Sequence, residues 1–333
     1  MIRTIIPVAG IGTKLRPHTH TQPKPLIPVA GKPILGHIVD SLIRVGLNDF
    51  VFIVGYLGEK IEQYILENYG SSCKVDFVKQ EPREGIAHAL WLSIPKMQDQ
   101  SEILIALGDT IIDMDSTEFL KNPYSVLAVD EVENPRLFGV AALDEEGFIN
   151  HLVEKPTIPR SNLALVGWYK IKEVQPLISC IQYLIENQLR THTEYHLTDA
   201  LMLMVNQGIK IRTHRVNRWF DCGKKDSLLL TNRILLEKNE KIHPGVQVNN
   251  SIIINPVSLS EGVKITDSIV GPFVAVGENV VVEKTILSDS IIGSYSRLES
   301  IILKHSVVGN DATLKGKSQS VNIGDSTEID FNE

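Results

Sequence analysis

Beyond Gly245 the chain loses every helical signal and turns to a short repeat, and nothing else in its 333 residues constrains the fold so tightly. A tetrad recurs as Ser268-Ile269-Val270-Gly271, Ser290-Ile291-Ile292-Gly293 and Ser306-Val307-Val308-Gly309. A weaker copy, Ser251-Ile252-Ile253-Ile254, opens the segment. Aliphatic positions step by six, as in Val257, Val263 and Ile269, or Val270 and Val276. An α-helix repeats every 3.6 residues and a plain strand every 2, so neither accounts for this spacing. Hexapeptide repeats do: each short strand turns a corner and its aliphatic residue points inward. The segment 245–325 is therefore predicted to be a left-handed parallel β-helix of about four coils.

Residues 1–240 read differently. Short apolar runs alternate with helical patterns, which predicts an α/β fold with a mostly parallel, Rossmann-like sheet and helices on both faces. Strands are expected at Thr4 to Val8, Phe50 to Val54, Val75 to Val78, Ile103 to Leu107, Ser125 to Val129, Val140 to Leu143, Val166 to Tyr169 and Lys210 to His214. Helices are expected from Ile34 through Val45, and at Glu59 to Asn68, Ile86 to Ser93, Val174 to Asn187, Leu197 to Gln207 and Lys225 to Lys238.

The first strand runs into Ala9-Gly10-Ile11-Gly12-Thr13-Lys14-Leu15-Arg16-Pro17, and Pro23-Lys24-Pro25-Leu26-Ile27-Pro28-Val29 and Lys32-Pro33 follow. Glycines let backbone N–H groups approach phosphate oxygens. Lys14, Arg16 and Lys24 supply charge within a short span. Two commoner phosphate loops do not fit. The dinucleotide fingerprint needs Gly or Ala where Leu15 stands. The lone Gly-Lys-Ser, Gly316 to Ser318, has Asp311 where a Walker loop needs Gly. The whole pattern resembles the sugar-1-phosphate nucleotidyltransferases (nucleotide-sugar pyrophosphorylases), whose signature reads G-x-G-T-R-L-x-P, then P-K-P-L-x-P-V, then K-P. Among them the glucose-1-phosphate thymidylyltransferase type with a C-terminal β-helix is the best match. The resemblance covers 1–240 as a catalytic domain and 245–325 as the β-helix.

That resemblance implies attack of a sugar-1-phosphate oxygen on the α-phosphorus of a nucleoside triphosphate, giving NDP-sugar and pyrophosphate. Such a reaction needs positioned cations and a divalent metal rather than a covalent intermediate. By resemblance Ala9, Gly10, Gly12 and Thr13 cradle the triphosphate, with Lys14, Arg16 and Lys24 as its cations. Asp109 ends a buried strand in Gly-Asp, where open α/β sheets bind ligands. Asp221 sits in Trp219-Phe220-Asp221-Cys222-Gly223, which is similar to the family's W-x-D-x-G. The two carboxylates with phosphate oxygens and water suit Mg²⁺. Glu154-Lys155-Pro156 matches E-K-P: Lys155 would grip the sugar phosphate, Glu154 the sugar hydroxyls, and Gly139 and Gly167 would line the sugar. Gln80 and Gly85 fall in a segment similar to Q-x-x-x-x-G-x-A-x-A, which favours dTTP or UTP, with the Gln amide both donating to and accepting from the base. Glu194 and Asp199 read equally as site residues and as helix caps. The ten histidines, His88 among them, read as structural.

One position departs from the pattern: Lys14 stands where the family has Arg, a point charge in place of a planar fork. Besides a dTTP enzyme, two readings stay open: a UTP-dependent glucose or N-acetylglucosamine 1-phosphate uridylyltransferase, and a regulatory protein that binds nucleotide-sugars without turnover. The β-helix reads as a homo-oligomer contact or regulatory element, with acyl transfer on His305 as the alternative. A net charge of −7 argues against nucleic acid as partner. No apolar run reaches a membrane span, no signal-peptide pattern is seen, and three cysteines without C-x-x-C spacing suit a reducing cytoplasm.

Overall fold

The computed structural model describes residues 2–238 and 240–316. The chain divides into two compact units, one ending at Thr231 and the other starting at Asn232. The division falls inside the helix Lys225–Lys238, ahead of the 240–245 junction expected from composition.

The first unit is built on a nine-stranded sheet. Its strands are β1 (Arg3–Pro7), β2 (Asp49–Val54), β3 (Lys74–Lys79), β4 (Ile103–Ala106), β6 (Ser125–Glu131), β7 (Gly139–Leu143), β8 (Ile149–Glu154), β9 (Leu163–Ile171) and β10 (Ile211–Arg215). β5 (Thr110–Asp113) and β11 (Arg218–Asp221) form a separate antiparallel ribbon. The order runs β8-β7-β9-β4-β1-β2-β3, with β6 paired to β9 and β10. One half is parallel: β4, β1, β2 and β3 all run together. The other half is antiparallel around β9, which pairs with β4, β6 and β7, while β10 joins β6 in parallel. The sheet is thus mixed, with its parallel part carrying the glycine loop.

The parallel strands β2 and β4 are continuous apolar runs because they are covered on both sides, whereas β3 at the edge is only partly buried. Phe50 to Ile53 and Ile103 to Ala106 have no exposure at all. Full burial of each such large side chain contributes about 1.5–3 kcal/mol. In helix α1 (Ile34–Arg44), Ile34, Leu35, Ile38, Val39 and Leu42 make one buried face. The other long helices are α2 (Gly58–Tyr69), α5 (Val174–Glu186), α6 (Leu197–Asn206) and α7 (Lys225–Lys238), with the shorter α3 (Ile86–Leu92) and α4 (Ser116–Lys121). The strands β5, β8 and β11 and helix α4 have no counterpart among the elements expected from the sequence.

The second unit is the expected left-handed parallel β-helix. Three sheets of five, five and four short strands stack coil on coil, and every pairing is parallel. One face reads Val248↔Ile265↔Val282↔Leu298↔Leu314, so successive coils take 17, 17, 16 and 16 residues. Val257, Val263, Ile265, Val270, Val274, Val280 and Leu298 fill the interior with no exposure. The tetrads are not all equivalent. Ser251 and Ser268 open strands on one face, while Ser290 and Ser306 belong to another. Each serine has a purpose at its corner: Ser268 Oγ donates to Thr266 O (2.7 Å) and accepts from Thr285 N of the next coil (3.0 Å). Ser251 receives the Ser268 N–H, and Ser290 the Ser306 N–H, in the same way. Residues 317–325 of the expected β-helix lie outside the described residues.

Candidate active site

Two adjoining cavities, about 390 and 320 Å³, open in the first unit along the C-terminal ends of β1 and β4, and both are lined by Gly12, Lys24, Ile86, Leu107 and Asp109. The smaller is bounded by Ala9, Gly10, Gln80, Arg83, Gly85 and Glu194. Around the larger stand Thr13, Lys14, Gly139, Glu154, Lys155, Tyr169, His196, Thr198 and Asp221. Of the sequence candidates, Arg16 is exposed and lines neither cavity, and Gly167 lines neither, its carbonyl accepting the Leu107 N–H at 2.8 Å.

The glycine loop turns at Gly12, whose φ of +71° and closeness to Lys24 Cβ (2.8 Å from an added Cβ) leave no room for a side chain. The turn and Lys24 are therefore fitted to each other. Lys24 Nζ reaches Asp109 Oδ2 at 2.6 Å. Asp221 is brought to the same place by the ribbon: it pairs with Thr110, and the Cys222 N–H donates to Asp109 O at 3.2 Å. Burial pushes the Asp109 carboxyl up, but the Lys24 ammonium outweighs it and holds Asp109 below the usual carboxylate range. Asp221 goes the other way: burial lifts it, the Asp109 charge adds to the lift, and the fields of Lys24 and Lys14 only partly oppose it. The Lys24 ammonium is stabilised: burial alone would lower it, and Asp109 more than offsets that.

At the far side, Thr198 Oγ1 donates to Glu154 Oε2 at 2.8 Å, fixing the carboxylate from the first turn of α6. Lys155 Nζ stands 3.5 Å from Glu154 Oε1 and His196 Nδ1 4.0 Å from the same atom. Lys155 adopts φ +43°, an uncommon backbone conformation held by its N–H bond to Phe138 O (2.9 Å). Burial, with the Glu154 and Asp109 charges, pushes the Tyr169 phenol well up, so it is a neutral hydroxyl in this cavity. Sequence reasoning missed Thr198 and Thr110, whose hydroxyls orient Glu154 and Asp109. Thr198 stands inside the Glu-Tyr-His-Leu-Thr-Asp segment, and only its β-hydroxyl type signalled a contact. Asp199 lines a different cavity with Leu184, Arg190 and Met202, while Glu194 lines the smaller of the two described above.

Gln80 is 5% exposed, and its Nε2 donates to Gly85 O (2.9 Å) and faces His88 Nδ1 (3.4 Å). Both amide N–H groups are thereby engaged. Among the described residues no hydrogen bond engages Oε1, so in this pairing the amide has its oxygen left over.

Residues 3–238 match the Nucleotidyl transferase family. The chain belongs to that family. This nucleotidyltransferase is 30% identical over 314 residues to a glucose-1-phosphate thymidylyltransferase of Streptomyces griseus, with 87% of each chain covered. It is 36% identical over 263 residues to the bifunctional protein GlmU of Methanocaldococcus jannaschii, covering 78% of this chain and 60% of that one. Among solved structures, UDP-glucose pyrophosphorylase complexed with UDP-glucose shares its fold, with TM-score 0.62 and 24% identity, over 72% of this chain and all of that one. Among the described residues of the nucleotidyltransferase no helix is long and apolar enough to cross a membrane. Nor do three or more His, Cys, Asp or Glu side chains there form a ready metal cage.

Proposed function

We propose that the chain transfers a nucleotidyl group from dTTP or UTP to glucose 1-phosphate, releasing pyrophosphate. The observation that carries this reading is that the two cavities share Lys24 and Asp109. A triphosphate held by the glycine loop and a sugar phosphate held by Lys155 would meet at that pair. The kinship to a glucose-1-phosphate thymidylyltransferase supports the substrate pair. An acceptor at Gln80 Oε1 suits the N3–H of thymine or uracil alike, so UTP stands beside dTTP.

Asp109 and Asp221 fit a hard divalent cation, Mg²⁺: two adjacent carboxylates at a polar cavity, the remaining positions left to phosphate oxygens and water. Bound there, the ion would neutralise charge on the reacting phosphates. Lys24 would turn from Asp109 Oδ2 to a phosphate oxygen, and Lys14 would add charge at the triphosphate. Glu154, fixed by Thr198, would accept hydrogen bonds from sugar hydroxyls. Lys155 would orient the attacking phosphate toward the α-phosphorus. That phosphate is already anionic, so no general base is needed.

We also read the chain as a cytoplasmic homo-oligomer. Its three cysteines carry no disulfide. One face of the β-helix aligns Ile252, Ile269, Ile286 and Ile302 coil above coil, and Ile252, Ile286 and Ile302 are 59%, 44% and 73% exposed. Such a stripe suits contact with a second copy.

The test is pyrophosphate release with Mg²⁺ across dTTP, UTP, CTP, ATP and GTP against glucose, N-acetylglucosamine and mannose 1-phosphates. Release with dTTP or UTP and glucose 1-phosphate is expected. Folded protein that binds nucleotide and turns over no pair would mark a regulatory relative instead.

A further inference from the structure

We propose that His88 is a positioning residue for base selection: with the Gly85 carbonyl it locks the Gln80 amide so that only an acceptor meets the nucleotide base. The proposal rests on the reading that a nucleoside triphosphate places its base in the cavity lined by Gln80 and Gly85.

The orientation of the amide follows from its partners. A carbonyl oxygen can only accept, so the Gln80 atom 2.9 Å from Gly85 O must be the nitrogen. Its second N–H then points to His88 Nδ1 at 3.4 Å, a long bond that requires a bare Nδ1 and a proton on Nε2. Burial holds the His88 imidazole below its ordinary pKa, against the field of Glu84 and with that of Arg190. The ring is therefore neutral at neutral pH and free to accept at Nδ1. It is also fixed in place, stacked on Trp91 (5.7 Å between centroids, 23° between planes) and tilted against Tyr195 (6.5 Å, 30°).

Gln80 and His88 are each 5% exposed, which leaves little access for water to replace either bond. Turning the amide over would set Oε1 against the Gly85 carbonyl, which cannot donate, and would oppose the Nδ1 lone pair unless the His88 proton moved from Nε2 to Nδ1. The flipped state therefore loses the Gly85 bond and requires the other tautomer, so it is disfavoured. Oε1 is left for the base. Thymine and uracil offer N3–H to it, whereas cytosine offers a bare N3 whose lone pair opposes it. The stacked ring thus reaches the base edge through one intermediate side chain.

Two substitutions separate this role from simple packing. His88→Phe keeps a flat ring for stacking and removes the acceptor. His88→Asn loses the ring but carries a carbonyl about where Nδ1 stands. We would measure kcat/KM for UTP, dTTP and CTP with glucose 1-phosphate, and dissociation constants of UTP and CTP by calorimetry. The wild type should prefer UTP and dTTP over CTP. His88→Phe should lose about tenfold of that preference, equivalent to about 1.4 kcal/mol, and His88→Asn should keep it. The reverse ranking, full preference in His88→Phe and loss in His88→Asn, would overturn the proposal and leave His88 a packing residue. A wild type that binds and uses CTP as well as UTP would instead remove the base assignment of the proposed function, and this inference with it. Should His88→Phe fail to fold, ¹⁵N–¹H spectra of the wild type decide: the His88 proton must be on Nε2, and a protonated Nδ1 refutes the lock.

Discussion

Gly85→Ala is the substitution whose cost can be worked most directly from the geometry. Gly85 has φ 102° and ψ 176°, a backbone region open essentially to glycine alone. Any L-residue held there carries about 1–3 kcal/mol of strain. A Cβ would also lie 2.4 Å from Tyr195 O and 2.9 Å from Tyr195 N. These atoms cannot swing aside as a flexible side chain would, because Tyr195 N donates to Glu84 O (2.8 Å) and Tyr195 O accepts from Ala87 N (2.9 Å). Displacing that clasp is comparable to overpacking a core, about 1–3 kcal/mol. The sum, about 2–6 kcal/mol, amounts to a melting-temperature loss of about 2–4 °C per kcal/mol in a unit of this size. Moving Gly85 also moves the carbonyl that holds Gln80, so KM for the nucleotide should rise while KM for the sugar phosphate stays near wild type. Thermal melts followed by circular dichroism, with steady-state pyrophosphate release, would check both parts. A Gly85→Ala variant that melts with the wild type and keeps its nucleotide KM would refute the reasoning.

Other consequences are open to equally direct checks. Asp109→Asn and Asp221→Asn should each abolish divalent-dependent pyrophosphate release while circular dichroism stays native-like; wild-type turnover in either would remove that carboxylate from the metal reading. Thr198→Val frees Glu154 Oε2 from its 2.8 Å donor and should raise KM for the sugar phosphate about 5–10-fold, the worth of about one hydrogen bond, with the nucleotide KM unchanged. The Lys96 hydrogen bond, against a smaller lift from burial, holds the Asp76 carboxyl below its ordinary 3.8. That contribution to stability is present above pH 3.8 and lost as the pH falls through the lowered folded value. Lys96→Met should therefore cost about 0.5–1 kcal/mol in urea unfolding at neutral pH, and that cost should shrink as the pH falls below 3.8. Replacing Ile286 and Ile302 together by Asp should lower the mass seen in light scattering if the isoleucine stripe joins copies; an unchanged mass would exclude that face.

What could be read from the sequence was whatever its own local spacing carries. The glycine loop, the buried run into Asp109 and the six-residue aliphatic step are each complete within one segment. Asp221 is different. Arg218-Trp219-Phe220-Asp221 has too few apolar residues to announce a strand, and becomes one only by pairing with Thr110 to Asp113. That ribbon, not any local pattern, sets Asp221 beside Asp109, and only the family resemblance pointed to it. The partners of the Gln80 amide, a backbone carbonyl and a ring nitrogen, could not be read locally because they are fixed by the path of the chain after it. His88 reads as packing from its apolar helix face, and its stack on Trp91 and tilt against Tyr195 fit that reading. The coils escaped exact phasing because they take 17 or 16 residues, so equal tetrads fall on unequal faces.

The corner hydroxyls explain how coils of two lengths share one stack. Ser251, Ser268 and Ser290 each take an N–H from the following coil and return a proton to the carbonyl two residues behind. A strand slipped by one residue would present Ile252, Ile269 or Ile291 at that point in one direction and Asn250, Asp267 or Asp289 in the other, and would lose the paired serine bonds. The serines therefore act as detents: they set where each turn must begin and leave the stretch between them free to be one residue longer or shorter. A stack indexed in this way can gain or lose a whole turn while its neighbours keep their places, so its height can change without a redesign of its cross-section.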